Sequence, residues 1–563
     1  MKKILLLVCW ILPSMLLFAQ NHSFNYAQPE TYVNVTVNKA QLQYLSLNFS
    51  VDAVHNQGDG TFQVTICVGD KEYAAFEATG IPYTIAPAPK PTVNMANSYA
   101  QLIQQWNRYP TYNTYLATMD TFRSQFPQLC EIDTILSQTP NNHSILVAHI
   151  SNNLQDRGDK PAFFYTSTIH GDEPVGYYMM IRLIYYLLHN YATDPLVQEL
   201  VDNVDIWICP IENPDGTYYS SNNSLNSSPY STRYNYNGVD LNRSYPLVGG
   251  YTAMRDLEPE VQAMINFGSA RQFTMSANLH GGAEVFNYPW DYWTSNQRPH
   301  ADDNWWNYVG HKFADTCQQY SSQYMNEEND GVTEGGDWYV ITGSRQDYYN
   351  YYLQCREATI EVGDYKVLPS SYLPYYWGYI YHSFLNYMEE SLYGFRGVVT
   401  DTVTGQPLEA TVVVENHDDN VSFVSSRLPM GDYHRPIKGG TYQVTFSATG
   451  YFPKTLTLTA TDAATLVQDV QLVPLNYDVD DHSVPVVEVY PNPVGDLLNV
   501  KLQDAENEDV VMRLYDAAGR LVSQKMLSNS QESISMKDLA PGMYLLRISR
   551  NGKTVCQQKV VHE

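Results

Sequence analysis

The chain has 563 residues, too long for one ordinary domain, so three or four folded units are expected. Its 44% hydrophobic content is enough for sizeable cores, and 47 tyrosines give it the aromatic-rich texture of an exported protein. A formal net charge of −27 argues against nucleic acid or an anionic membrane surface as a partner, and reads first as a solubilising acidic surface.

Residues 1–20 run Met1-Lys2-Lys3, then an apolar stretch from Ile4 to Phe18, then Ala19-Gln20. A basic start, a short apolar core and a small residue near its end predict a secretory signal peptide. No later segment reaches the ~20 apolar residues needed to cross a bilayer, so an exported chain without a membrane span is expected. Of seven cysteines, Cys9 falls in the signal. The other six (Cys67, Cys130, Cys209, Cys317, Cys355 and Cys556) are scattered without a CxxC pair, which excludes a disulfide scaffold and a thiolate zinc site. A single bridge such as Cys317–Cys355 stays open.

Residues 21–83 alternate apolar and polar positions, as in Tyr32 to Val37 and, after the turn signal Gly58-Asp59-Gly60, Phe62 to Cys67. They predict a β-rich unit, placed at 21–95 with the proline-rich linker that begins at Ile85. From about 105 to 393 helical and strand patterns alternate. Apolar strands are expected at 161–169, 204–211 and 272–279, and a mostly apolar helix at 175–191. This predicts an α/β unit, a mixed, mostly parallel sheet covered by helices. Beyond Phe395 the helical patterns vanish. Residues 394–474 read as a small β-sandwich with turns at Gly431-Asp432 and Gly439-Gly440, and 477–485 as an acidic linker. Residues 486–563 read as a second all-β unit with Asn551-Gly552 as a hairpin turn.

The segment Thr168 to Gly176 places His170 and Glu173 three apart where a strand hands over to a helix, the end of an α/β sheet at which ligands gather. A lone His-x-x-Glu is a weak signal. A hydrolytic zinc site needs three protein ligands and an open position, and His280, at the end of the next apolar run and followed by Gly281-Gly282, supplies a third. A carboxylate base must take a proton from water, and Glu361, on the strand-like run Ala358 to Gly363, is the candidate. Between the ligands lies a loop from Arg233 to Pro246. Arg243 can hold a terminal carboxylate in two parallel hydrogen bonds with help from Asn242. Arg233 can face a developing oxyanion, and Asp240 can orient a ligand histidine.

These blocks, taken in order, resemble the zinc metallocarboxypeptidases of the A/B family, and within it the regulatory N/E branch. His170 to Gly176 is similar to that branch's HGxExVG, Pro210 to Gly216 to its P-x-x-NPDG, and Asn237 to Arg243 to NGVDLNR. Glu258-Pro259-Glu260 is similar to EPE, and Ser276 to Gly282 followed by Asn287 to Asp291 to SANLHGG with NYPYD. The resemblance covers residues 105–393 and implies one zinc ion per catalytic unit on His170, Glu173 and His280. It also implies Glu361 as general base, Arg233 at the oxyanion, and Asn242 and Arg243 as the carboxylate clamp. Tyr339 matches the mobile substrate tyrosine, and Asp291 the pocket aspartate that pairs with a C-terminal Lys or Arg. Gln346 stands where the N/E branch also has Gln. One departure is Asn142-His143 in place of the branch's Gly-Arg pair, which removes an arginine used upstream of the scissile bond.

Residues 394–474 resemble the transthyretin-like domain of the same branch. Residues 486–563 resemble type IX secretion sorting domains, through Val489 to Val494, Leu514 to Arg520 and Leu539 to Tyr544. The expected activity is removal of single C-terminal residues, Lys or Arg, from peptides and proteins outside the cell, with the type IX machinery as export partner. The alternatives are a zinc amidase acting on cell-wall or γ-glutamyl peptides, or an inactive surface binding protein.

Overall fold

Strands Ala162–Ser167, Asp205–Cys209 and Met275–His280 are buried at every position, as strands covered on both faces must be. In the computed structural model they form the middle of an eight-stranded sheet. Its order runs Val332–Glu334, Ala283–Tyr288, Arg356–Gly363, Met275–His280, Ala162–Ser167, Asp205–Cys209, Ile145–Ile150 and Cys130–Leu136. The strands at Arg356, Met275, Ala162 and Asp205 run parallel, and antiparallel neighbours flank them. The sheet is therefore mixed with a parallel centre, as the alternating patterns predict. The structure describes the chain except residues 1–23, 25–28, 87–92, 226–230, 250–256, 476–486, 503–509, 528–530 and 551–552. The expected signal peptide, most of both linkers and the Asn551-Gly552 turn lie outside the described residues.

Alternation along Ala162–Ser167 divides the two cores. Phe163 and Tyr165 face the helices Pro174–Asn190 and Leu373–Glu389, while Ala162 and Phe164 face Pro259–Arg271. Both faces are thus covered largely by apolar side chains.

The N-terminal unit departs from the pattern of strands alone. Its four strands, ordered Ser50–Asn56, Thr61–Gly69, Glu30–Asn38 and Tyr83–Ile85, carry two helices, Lys39–Asn48 and Tyr73–Ala78. The first helix opens with a capping box, in which the Asn38 side chain accepts from Gln41 N and the Gln41 side chain accepts from Asn38 N. It buries only Leu42, Leu45 and Ser46, so its apolar periodicity is faint. The expected openness to a Cys317–Cys355 bridge closes, because all six described cysteines are free and buried. Cys317 contacts Ser383 and Cys355 contacts Ser276.

Residues 394–472 form two four-stranded sheets around a shared apolar core, and residues 487–562 form two more sheets around another. The first of these units is locked to the large sheet through Asp302. This fully buried carboxylate accepts from Arg356 (2.8 Å), at the start of the strand that carries Glu361, from Arg435 (2.8 Å) and from His417 (2.8 Å). Removing one partner of such a cluster leaves buried charge uncompensated. Asp302→Ala is expected to lower the unfolding free energy by about 3–5 kcal/mol, measured by urea titration followed through tryptophan fluorescence, since Trp305 and Trp306 sit beside the joint.

Candidate active site

Parallel pairing sets the first two groups of the site. His280 and Glu361 are register partners on adjacent strands, so both leave the sheet at the same carboxyl edge. The strand Ala162–Ser167 ends next to them and turns sharply, with Thr168 at φ +60°, a conformation costly for a β-branched residue. Thr168 Oγ1 secures that turn by donating to the Glu173 carbonyl (3.0 Å), and its N–H donates to Leu279 O (3.1 Å). The turn brings His170 and Glu173 back over the strand end. Gly171 is obligatory in this arrangement, because a Cβ there would lie 2.2 Å from the backbone of Gly216. Asn213 holds the second loop in place, accepting from Gly216 N (2.8 Å) and donating to Ile169 O (3.0 Å).

The result is a buried triad. His170 Nδ1 lies 2.9 Å from Glu173 Oε1 and His280 Nδ1 lies 3.0 Å from Glu173 Oε2, and the three ligand-type atoms all fall within 4.8 Å of one another. Two imidazoles and a carboxylate converging through the same type of ring nitrogen fit a zinc ion. Burial pushes the His280 ring down to about 4, which keeps it in the neutral form a metal requires. A second group, Asp302, His417 and Asp418, is also close-set. Its carboxylates are already neutralised by Arg356 and Arg435, so it suits an ion-pair joint better than a metal.

Asp240 reaches the far side of His170. Its Oδ1 lies 3.2 Å from His170 Nε2, which carries the ring proton when Nδ1 faces a metal, and it also accepts from Asn242 N (2.9 Å). Its Oδ2 accepts from Arg233 Nε (3.0 Å) and Ser50 Oγ (2.6 Å). Burial alone would raise its pKa, but Arg233, His170 and Arg243 outweigh it and hold the carboxyl well below its usual range. Glu361 is the opposite case. Burial, reinforced by Glu173, pushes it well above the usual carboxylate range, and its Oε2 has no hydrogen-bond partner among the described residues.

Arg233, Asn242, Arg243, Asp291, Tyr339 and Glu361 line one cavity with the triad, so every candidate residue except Asp240 borders the same space and Asp240 supports it from behind. Arg243 Nε has no partner among the described residues, and Asn242 is fixed by accepting from Arg345 N (2.9 Å). Asp291 lines the cavity and is buried. Its Oδ1 accepts from Gln346 Nε2 (3.0 Å) and Asn287 Nδ2 (3.2 Å), and burial raises its pKa against those hydrogen bonds. Gln346 is oriented because its Oε1 accepts from Thr359 N (2.7 Å). Gly335 leaves room beside it, since a Cβ there would stand 2.1 Å from Asp291 Oδ1. His143 lies elsewhere, in a buried network with Asp215 (2.7 Å) and Asn222 (2.9 Å), and does not line the cavity.

Several groups at the site are assigned no role by the sequence. Asp347 accepts from Asp291 N (2.8 Å) and Tyr292 N (2.9 Å), fixing the loop that presents Asp291. Fully buried Arg345 bridges Glu357 and Glu212, both at 2.9 Å. Lys366 lies 3.0 Å from Asp172 and 3.4 Å from Glu173. Val51 and Asp52 of the N-terminal unit also line the cavity.

A family model described as zinc carboxypeptidase matches residues 115–379, and one described as a secretion system C-terminal sorting domain matches residues 488–563. Carboxypeptidase SOL1 of Arabidopsis thaliana is 32% identical over 360 residues, covering 62% of this chain and 69% of that protein. Carboxypeptidase D of Homo sapiens is 32% identical over 378 residues, 64% of this chain but 26% of that protein, so the chain spans about a quarter of the length of such relatives. The carboxypeptidase N catalytic chain of Rattus norvegicus is 27% identical, covering 65% of this chain and 86% of that protein. Among solved structures, carboxypeptidase A from Helicoverpa armigera aligns at 17% identity with a TM-score of 0.47, over 64% of this chain and 97% of that one. The protein is expected to bind one zinc ion per chain, and Asp240→Ala to weaken that binding by roughly 10–100-fold, measured by competition with a chelator of known affinity.

Proposed function

Because the chain belongs to the zinc carboxypeptidase family, we propose that it removes single C-terminal residues, Lys or Arg, from peptides and proteins outside the cell. The observation that carries this reading is the single cavity shared by the His170, Glu173 and His280 triad, the carboxylate Glu361 and the guanidinium of Arg243, whose Nε has no partner among the described residues. A bound zinc ion supplies Lewis acidity and lowers the pKa of water. The other work falls to the chain. Arg243 and Asn242 bind the terminal carboxylate of the substrate, which restricts cleavage to the last residue. Arg233 faces the oxygen on which negative charge develops. Glu361 takes a proton from the attacking water and returns it to the leaving amine, a role for which its buried Oε2, without a hydrogen-bond partner among the described residues, is available. Tyr339, beside the clamp, closes over the bound residue.

Asp291, which lines the cavity, supports a preference for cationic side chains. Asn287 helps, since its amide nitrogen is committed to Asp291 and its buried Oδ1 has no partner among the described residues, a second acceptor for an ammonium or guanidinium group. The resemblance of residues 394–474 to a transthyretin-like unit accords with this branch of the family. The sorting domain at 488–563 supports export by a type IX system to the cell surface or beyond, and no helix among the described residues is long and apolar enough to cross a membrane.

Glu361→Gln is expected to lower kcat by at least ~10²-fold with zinc content unchanged, measured on a peptide ending in Lys alongside metal analysis. Undiminished activity would remove Glu361 from the mechanism. Asp291→Ala is expected to reduce kcat/KM for C-terminal Lys and Arg by roughly 10²-fold while sparing a peptide ending in Phe. An equal loss on all three would refute the assignment of Asp291.

A further inference from the structure

The loop at residues 289–302 carries Asp291 near its start, Arg298 beyond its middle and Asp302 at its end. The two-sheet unit at 394–472 grips this loop at two points. One is the Asp302 joint, to which His417 and Arg435 contribute. The other is Arg298, whose Nη2 donates to Asp419 Oδ2 (2.5 Å). Asp419 lies on the loop at 415–423, and its second oxygen is spent locally, accepting from Val421 N (3.0 Å) and Ser422 N (3.0 Å). Burial works against the charge of Asp419, but Arg298 outweighs it and holds the carboxyl below its usual range. Both side chains of the pair stay partly exposed, at 26% and 37%, so the pair adds little stability and its worth is geometric.

On its other side Arg298 meets the elements that present Asp291. Its guanidinium carbon lies 5.3 Å from the ring centre of Trp290, 4.7 Å from that of Trp293 and 5.6 Å from that of Tyr351, the range of a cation over aromatic faces. Trp290 precedes Asp291 in the chain, is buried, and accepts from Gly336 N through its carbonyl (2.7 Å). Tyr351 comes from the helix Arg345–Leu353, which also carries Gln346 and Asp347. Those two residues hold Asp291 directly, Gln346 by donating to its Oδ1 and Asp347 by accepting from its N–H. A guanidinium is planar and rigid, so one seated on rings from both elements fixes their separation. That separation sets where the Asp291 carboxylate stands.

We propose that Asp419 is a positioning residue for the substrate pocket: by holding Arg298 over Trp290 and Tyr351 it sets the placement of Asp291, and with it the selection of cationic C-terminal side chains. The unit at 394–472 is then part of the specificity apparatus, although none of its residues lines the active-site cavity. The proposal rests on the reading of Asp291 as the acid that pairs with Lys or Arg.

The test uses the full chain. Asp419→Asn keeps an oxygen for Val421 N and Ser422 N and removes the charge that faces Arg298. It is expected to raise KM for a Lys-ended peptide by at least ~3-fold, with kcat and the constants for a Phe-ended peptide unchanged. Arg298→Ala is expected to shift the same constant by at least as much, and Asp419→Glu, which keeps the carboxylate, to recover most of the native KM. A merely structural role for Asp419 would lower the active fraction, and so kcat on both peptides alike, and leave KM unmoved. Titration calorimetry with free lysine makes the comparison without turnover, and is expected to show at least ~3-fold weaker binding to Asp419→Asn. Unchanged KM and unchanged lysine binding in both Asp419→Asn and Arg298→Ala, or equal changes on both peptides, would overturn the proposal.

Asp291→Ala separates the proposal from the reading beneath it. In that background Asp419→Asn is expected to cost no further selectivity, and a full additional loss would show that Asp419 acts by another route. If Asp291→Ala is selective for Lys and Asp419→Asn is not, the proposal alone fails. If Asp291→Ala affects both peptides equally, the reading of Asp291 fails and the proposal falls with it.

Discussion

One carboxylate, that of Asp240, organises most of the site. Its four hydrogen bonds run to the candidate metal ligand His170, to Arg233, proposed to face the oxyanion, to the backbone of Asn242, proposed for the carboxylate clamp, and to Ser50 of the N-terminal unit. Each bond constrains a different functional part, so the parts share one geometric reference. Because Asp240 is ionised and buried among cations, those bonds are charge-assisted and stronger than neutral ones. The loop that carries Asp240 has little regular structure beyond the short turn Leu241–Arg243, and owes its shape largely to these contacts.

The site divides its carboxylates by how fully they are compensated. Asp240 has two full complements of donors and stays ionised. Glu173 is buried too, yet His170, Lys366 and His280 outweigh that burial and hold it low. Glu361 is left with an unpartnered oxygen beside a like charge, and its pKa rises. Groups whose environments push their pKa values apart can take different roles, one set binding a metal and another shuttling a proton. Asp291, which lines the same cavity, is likewise buried, and its hydrogen bonds do not offset that burial, so its pKa rises.

How much of this was legible in the sequence follows from what each residue does. The parallel sheet was readable because strands covered on both faces are apolar without interruption, and the motif blocks were readable because close approach or coordination demands one residue type. Gly171 against Gly216 is such a case. His280 and Glu361 lie 81 positions apart in the chain, and only strand register makes them neighbours. The sequence places His280 at the end of an apolar run and Glu361 on a strand-like run, while the pairing of the two is a tertiary fact. Arg345 and Asp347 were not legible as site residues. They act through buried partners distant in sequence, Glu212 and Glu357 for one and the backbone of Asp291 and Tyr292 for the other.

The N-terminal unit shows the limit most sharply. Glu30, Ser50 and Asp52 are ordinary polar positions of alternating strands, and nothing local distinguishes a carboxylate facing solvent from one facing Arg233. The helix Lys39–Asn48 is equally quiet, with a capping box as its one local mark. What makes these residues matter is the surface they meet: two cations, Arg233 and Lys366, at the edge of the buried triad, with which Asp52 also pairs.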